Sequence, residues 1–177
     1  MKKKVLFLYG PLNAGGAERV LLDYLQNLDR ASYDISLCLL VNGGTLLHEV
    51  PKDITTFSLF PSYNWHFKLA YRLSIWLGMD FLFQMVLKQK INQSYDVIIS
   101  FLEGMPLKIH SLMDSKAKNY TWVHADLDLH RYTQANFYKG DELAAYKKMD
   151  EIILVSKNAE NSFLKRFPSL KKQTVVV

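Results

Sequence analysis

One histidine stands where an imidazole can act on a substrate hydroxyl. His124 is the last residue of the apolar run Tyr120–His124, and two carboxylates, Asp126 and Asp128, follow it. In an open α/β sheet, ligands bind beyond the carboxyl ends of the strands. An imidazole at that edge can orient or deprotonate a hydroxyl, with Asp126 close enough to contact the same substrate. A histidine that only completes a structural hydrogen bond is the alternative that spacing leaves open.

Two adjacent glycines precede the first predicted helix. The stretch Gly10–Glu18 joins the first strand to that helix and contains Gly15 and Gly16. Glycines let a backbone approach a ligand closely, and a helix N-terminus offers free N–H groups to an anion. A P-loop is excluded because Gly16 and Ala17 replace its lysine and hydroxyl residue, and the dinucleotide fingerprint GxGxxG is absent. A tight turn that needs two glycines is the competing interpretation.

A glutamate follows another buried strand. The run Tyr95–Phe101 is followed by Leu102, Glu103 and Gly104. The Glu103 carboxylate could hydrogen-bond a hydroxylated substrate, or it could favour the N-terminus of the next helix. Spacing alone favours the structural role.

Other catalytic classes lack their residues. No G-x-S-x-G elbow occurs, which argues against an α/β-type serine hydrolase. No H-E-x-x-H or CxxC pattern occurs, and His48, His66, His110 and His130 show no metal-ligand spacing. Cys38 is alone in an apolar run, so we predict a buried, inert thiol. We therefore expect neither a metal nor a bound cofactor.

Strands and helices alternate along the chain. The predicted strands are Val5–Tyr9, Tyr33–Val41, Thr55–Phe60, Tyr95–Phe101, Tyr120–His124, Glu151–Val155 and Thr174–Val177. The predicted helices are Ala17–Leu28, Leu69–Asn92, Met105–Met113, a region of about 129–148 interrupted near Gly140, and Lys157–Phe167 after the N-cap Ser156. This alternation implies βαβ units with right-handed crossovers. The predicted fold class is a doubly wound α/β domain with a mostly parallel sheet.

Length and charge limit the classes of partner. The chain has 177 residues, enough for one domain with a core of its own, and a net charge of +5. The basic excess lies at the two ends, whereas residues 5–164 hold 15 basic and 17 acidic side chains. We therefore expect no nucleic-acid partner. The first apolar run stops at Gly10, too early for a signal sequence.

An aromatic and basic stretch covers Trp65–Ile91. Its charged residues are Lys68, Arg72, Asp80, Lys88 and Lys90. A spanning helix needs roughly 20 apolar residues, and Gly78 and Asp80 interrupt this run, so it is not transmembrane. A mostly buried crossover helix is the favoured interpretation, and a helix that lies in a membrane interface is the other.

Four segments at the predicted strand ends share the features of one enzyme family. They are YGPLNAGGAERVLLDYLQNL, YDVIISFLEG, TWVHADL and EIILVSKNAENSFLKRFP. In type and order they resemble the N-terminal domain of retaining glycosyltransferases of family 4, which have the GT-B fold. The resemblance covers about residues 4–177, and the GGAE turn is its most specific part. It implies a Rossmann-like domain that mainly binds the acceptor, facing a C-terminal domain that binds the nucleotide-sugar donor.

The resemblance also implies roles for the site residues. Gly15 and Gly16 would approach the donor diphosphate and the acceptor, and Glu18 would start the same helix. His124, the candidate catalytic residue, would lie near the transferred sugar and position donor and acceptor. Glu103 is a weaker candidate for substrate binding, beside Asp126.

The second domain of that family is not represented in the chain. Neither the family's Glu-x7-Glu motif nor its phosphate-binding basic residues occur in residues 1–177. We expect an N-terminal domain that is inactive without its C-terminal domain, from a cytoplasmic or peripheral membrane enzyme of polysaccharide biosynthesis. The acceptor would be a glycan or a lipid-linked molecule. Two alternatives stay open: a stand-alone Rossmann-like module for a nucleotide or metabolite, and a non-catalytic membrane-surface domain.

Overall fold

Seven strands pair in one all-parallel sheet in the computed structural model, which describes residues 2–129 and 131–177. The strands are β1 Lys3–Tyr9, β2 Tyr33–Val41, β3 Thr55–Phe60, β4 Val97–Ser100, β5 Lys118–Val123, β6 Glu151–Leu154 and β7 Thr174–Val176. Their order across the sheet is β3-β2-β1-β4-β5-β6-β7. The predicted doubly wound α/β class is therefore confirmed.

Six α-helices and several 3-10 turns connect these strands in the described residues. The helices are α1 Gly16–Asn27, α2 Trp65–Leu77, α3 Phe81–Lys90, α4 Met105–Ser111, α5 Glu142–Tyr146 and α6 Lys157–Arg166. The predicted N-cap of α6 is confirmed, because the Ser156 hydroxyl accepts the N–H of Ala159 at 3.1 Å.

The central strands of the sheet are buried on both faces, which explains their continuous apolar runs, whereas the edge strand β7 is largely exposed. In β1, Val5, Phe7 and Tyr9 pack in the core beneath α1. The alternate residues Leu6 and Leu8 pack in the core formed with α2, α3 and α4. A third core joins β6 to α5 and α6.

The strand order reverses between β1 and β4. The chain moves from β1 to β2 and β3 on one side, then returns through α2 and α3 to β4 on the other side of β1. In doubly wound sheets, such a reversal opens a crevice at the carboxyl ends of the two strands. The loops after β1 and β4 border this crevice, and the end of β5 is one strand further along.

The predicted helix Leu69–Asn92 is two helices in the structure. α2 ends at Gly78, whose φ of +67° is the left-handed conformation that glycine adopts most easily. Asp80 holds the break in place, since its carboxylate contacts Lys108 Nζ of α4 at 2.8 Å and accepts the Ser74 hydroxyl at 2.5 Å. In the described residues, no helix is both long and apolar enough to cross a bilayer.

The predicted helical region near 129–148 is mostly made of short turns. The 3-10 segments Arg131–Asn136 and Tyr138–Gly140 precede the single α-helical turn of α5. Gly140 ends this irregular part with a φ of +70°. Lys139 and Gly140 both have positive φ, which interrupts any continuous helix through this stretch.

Candidate functional site

The loop between β1 and α1 is held by the neighbouring β2–β3 connection. Leu12 is fully buried; its N–H donates to the Gly43 carbonyl at 3.0 Å, and its carbonyl accepts the Leu46 N–H at 2.9 Å. Gly44 has a φ of +111°, and a Cβ added there would overlap the Leu12 backbone. The fold therefore needs a glycine at position 44 to hold the loop at the crevice.

Gly15 and Gly16 form the end of this loop and the start of α1. Gly15 is the N-cap, in an ordinary extended conformation with no side-chain cap. Apart from the adjacent residues and the backbone of α1 itself, no described atom lies within 4 Å of the position that a Cβ on Gly16 would take. Neither backbone angle nor packing requires glycine at position 16, so the open space there is available to a ligand.

Glu18 lies in the first turn of α1, with its carboxylate directly beside Gly15. A carboxylate at a helix N-terminus is stabilised by the exposed N–H groups and the helix dipole. In this position, Glu18 occupies the place that an anionic ligand would use. A phosphate that binds at this helix end would have to displace the Glu18 side chain.

The His124 ring lies at the carboxyl end of β5 on the α1 face of the sheet. It contacts the rings of Phe101 and Trp122, with centroids 5.2 and 5.7 Å away. Tyr24 of α1 contacts the same two rings, at 5.6 and 5.3 Å. These three rings connect the imidazole to α1, the helix that follows Gly15 and begins with Gly16. His124 and the two glycines therefore lie on the same face of the sheet, at its carboxyl edge.

Burial keeps the His124 imidazole neutral near pH 7. The pKa of His124 is lowered below its usual value by burial, and a hydrogen bond to the Phe101 backbone opposes that shift. Nε2 is buried and makes no hydrogen bond with any described residue. A buried nitrogen without a hydrogen-bond partner costs free energy, and a substrate hydroxyl recovers that cost only when neighbouring side chains move to expose Nε2.

Glu103 lies beneath the site rather than on its surface. Its side chain is 2% exposed, and Oε2 accepts the backbone N–H of His124 at 2.9 Å. The fully buried Glu142 lies near enough that the charge of Glu103 contributes to raising the pKa of Glu142, although burial is the larger cause. In this structure Glu103 positions the end of β5 and does not face the crevice.

Asp126 shapes the turn that follows His124. Its Oδ1 accepts the N–H groups of Asp128 at 2.9 Å and Leu129 at 3.4 Å. Asp128 in turn pairs with Lys165 of α6 at 2.8 Å. The half-buried Asp126 carboxylate is thus engaged in local turn geometry, two residues from the imidazole.

Sequence reasoning missed the supporting rings and the loop anchor. Trp122 of β5 and His124, the residue after that strand, are two positions apart in the predicted strand Tyr120–His124 and therefore share a face, and Phe101 directly follows the adjacent strand β4. The spacing of Trp122 and His124 could therefore have predicted an aromatic pair on one face of the sheet. The contact between Leu12 and Gly44 carried no such signal, because it joins two irregular loops.

The described residues hold no group of three or more His, Cys, Asp and Glu side chains close enough to bind a metal ion. His130 lies outside the described residues. Cys38 is 1% exposed, which confirms the predicted burial, and this burial raises the pKa of its thiol to about 12.

No family model and no curated protein matches the sequence. Among solved structures, HepE of Anabaena in complex with UDP and glucose matches with a TM-score of 0.68 and 20% identity, over 99% of this chain and 44% of that chain. HepE in complex with UDP matches with a TM-score of 0.62 and 22% identity, over 98% and 43%. The lipopolysaccharide outer core galactosyltransferase WaaB, in its apo form, matches with a TM-score of 0.64 and 15% identity, over 98% and 44%.

This chain spans less than half the length of each of these solved structures. At such identities, the likeness establishes the fold: a Rossmann-like, all-parallel α/β domain of the kind that forms one half of a GT-B protein.

Proposed function

We propose that this chain is the acceptor-side half of a retaining glycosyltransferase with the GT-B fold. The full-length enzyme would transfer a sugar from a nucleotide-sugar donor to a glycan or a lipid-linked acceptor. One observation carries the proposal: a neutral imidazole with an unpartnered nitrogen and an open glycine loop share one face at the edge where the strand order reverses. The galactosyltransferase activity of WaaB and the UDP and glucose bound to HepE support a sugar-nucleotide substrate for a site on this fold.

The glycine loop would receive the donor diphosphate. Gly16 leaves the space that a close backbone approach needs, and the first N–H groups of a helix such as α1 have no acceptor within the helix. Glu18 would move from its place beside Gly15 as the phosphates arrive. We expect no metal, because helix N–H groups and basic side chains of the second domain would carry the phosphate charge.

His124 would position the sugar and the acceptor hydroxyl through Nε2. In a retaining transfer without a protein nucleophile, the bond from the anomeric carbon to the phosphate oxygen breaks as the bond to the acceptor oxygen forms on the same face. The acceptor proton passes to the departing phosphate. A neutral imidazole can hold the reacting groups in that geometry without taking the proton.

Sugar transfer by the full-length protein tests the proposal. We expect transfer from at least one member of a nucleotide-sugar panel, and none from residues 1–177 alone, since the donor pocket would lie in the second domain. His124→Ala should lower kcat by at least about 100-fold through lost positioning. Asp34→Ala, at an exposed residue near the start of β2 and so at the opposite edge of the sheet, is the control and should leave kcat unchanged.

Two outcomes would contradict the proposal. Unchanged transfer by His124→Ala would remove the imidazole from the mechanism. UDP binding by residues 1–177 together with no transfer by the full-length protein would support the alternative of a stand-alone nucleotide-binding module.

A further inference from the structure

The outward face of α2 is apolar where solvent-facing helices are normally polar. Phe67, Ala70 and Ser74 form its buried face, at helical spacing. The opposite stripe consists of Trp65, Leu69, Arg72 and Trp76. In that stripe Trp65 is 66%, Leu69 43% and Trp76 72% exposed.

α3 and the connection before it continue this surface. Phe83 and Leu87 of α3 are buried in the same core as the inner face of α2, so the outer faces of both helices point away from that core. The exposed large apolar residues here are Leu77, Met79, Phe81 and Met85. We call the set Trp65, Leu69, Trp76, Leu77, Met79, Phe81 and Met85 the α2–α3 patch.

Basic side chains accompany the patch. Lys68, Arg72, Lys88 and Lys90 are all exposed, and Arg72 lies within the outward stripe of α2. Asp80, the one acidic residue in the segment 65–91, is engaged with Lys108 and Ser74. The surface of this segment is therefore both apolar and positively charged.

We propose that the α2–α3 patch docks this protein on an anionic lipid bilayer. Tryptophan, methionine and leucine side chains would enter the headgroup region while Lys68, Arg72 and Lys88 contact anionic headgroups. A second copy of the chain fits the patch less well, because a two-fold interface would bring the same basic groups against each other. The proposal concerns the surface alone and does not depend on transferase activity.

Intrinsic fluorescence gives a direct readout, because the chain has three tryptophans. Trp65 and Trp76 are in the patch, whereas Trp122 is 7% exposed and lies in the core beneath α1. With vesicles of phosphatidylcholine and phosphatidylglycerol at low salt, we expect a blue shift of the emission and quenching by brominated lipid. Vesicles of phosphatidylcholine alone should bind much less, and high salt should weaken binding to the mixed vesicles.

Paired variants separate the apolar and the basic contributions in vesicle flotation. Trp65→Ser with Trp76→Ser should lower vesicle affinity at least about tenfold, whereas Leu129→Ala, at a residue 77% exposed outside the patch, should not change it. Lys68→Gln with Arg72→Gln should lower affinity about fivefold per charge removed. Lys52→Gln with Lys147→Gln removes two exposed charges elsewhere and should change it little.

Two results would overturn the proposal. The first is no flotation of the wild-type chain with phosphatidylglycerol vesicles at low salt. The second is a concentration-dependent dimer in sedimentation that Trp65→Ser with Trp76→Ser abolishes, since the patch would then be an interface between two copies.

Discussion

The Glu103 carboxylate accepts the backbone N–H of His124 at 2.9 Å, and this hydrogen bond joins the loop after β4 to the end of β5. Glu103 is 2% exposed, so water cannot replace it as the acceptor. The position of the imidazole at the crevice therefore depends on a side chain that does not itself face the crevice.

Removal of this acceptor should destabilise the fold. Glu103→Ala leaves the part-buried His124 N–H without its acceptor, and we expect a loss of about 1–2 kcal/mol in the free energy of unfolding. Glu103→Gln keeps an oxygen acceptor and should lose less than half of that. Urea denaturation followed by circular dichroism measures both. Glu49→Ala, which breaks the surface pair with Arg19, is the control and should cost under about 1 kcal/mol. A Glu103→Ala protein as stable as the wild type would contradict this role.

A buried histidine should make the domain acid-sensitive. His110 is 2% exposed, and its ring nitrogens contact the Ser100 hydroxyl and the Asn119 side-chain oxygen, each at 3.0 Å. Burial lowers the pKa of His110 to about 4. Because the unfolded chain binds this proton more readily, stability is full above pH 6.5 and falls as the pH drops towards 4. We expect a loss of about 2–3 kcal/mol in the free energy of unfolding between pH 7 and pH 4.5 from this residue.

Histidine variants isolate this contribution from the titration of carboxylates. His110→Gln should flatten the pH dependence, whatever its effect on stability at pH 7, because only the slope reports the titrating group. His48→Gln, at an exposed position, should leave the slope of the wild type unchanged. Equal slopes for all three proteins would show that His110 does not control the acid sensitivity. His124 also has a lowered pKa, so it too makes the fold less stable as the pH falls, and it does so in all three proteins.

Most strands were predictable because they are buried and bounded by turn residues, whereas the edge strand β7 is largely exposed. β2 and β3 begin and end at the predicted residues, Tyr33–Val41 and Thr55–Phe60. Asn42 and Gly43 follow the first of these, and Pro61 follows the second. A run of apolar residues between such signals has few other ways to bury itself.

Features that depend on contacts between distant residues were not predictable. The sequence placed Glu103 after a strand, but its burial depends on the His124 backbone, 21 residues further along the chain. In the same way, the pairing of Asp80 with Lys108 joins residues 28 positions apart on different helices, and no local pattern predicts it. A local sequence pattern can place such a residue at the end of a strand or a helix. The packing of distant segments decides which groups its side chain contacts.

The pairing of Asp80 with Lys108 should matter far more than a surface pair. Lys108→Ala removes the partner of a largely buried carboxylate, and we expect a loss of about 3–5 kcal/mol in the free energy of unfolding. Lys118→Ala breaks a similar pair with Asp150, but the Lys118 side chain is 68% exposed, so the loss should stay under about 1 kcal/mol. Equilibrium denaturation compares the two. In Asp80→Asn with Lys108→Met both charges are absent, and this double variant should recover part of the loss. Equal losses for the two lysine variants would contradict the structural role of the buried pair.

Two glycines at the crevice should respond to alanine in opposite ways. Gly44→Ala forces a side chain into a φ of +111° and against the Leu12 backbone, so we expect a loss of about 2 kcal/mol or more in the free energy of unfolding. Gly16→Ala adds a methyl group to the first residue of α1 in open space, and should leave stability unchanged or raise it by up to about 1 kcal/mol. Thermal unfolding of the chain distinguishes these effects on the fold.

The same Gly16→Ala variant tests the loop as a donor site, because its fold should be intact. If the donor diphosphate approaches this helix end, the added methyl group occupies the space that the phosphates need. Sugar transfer by the full-length protein should then fall at least about tenfold in kcat/KM, with a raised KM for the donor and little change for the acceptor. Wild-type kinetics in a stable Gly16→Ala protein would place the donor phosphates elsewhere, and the open space at Gly16 would then have no part in binding them.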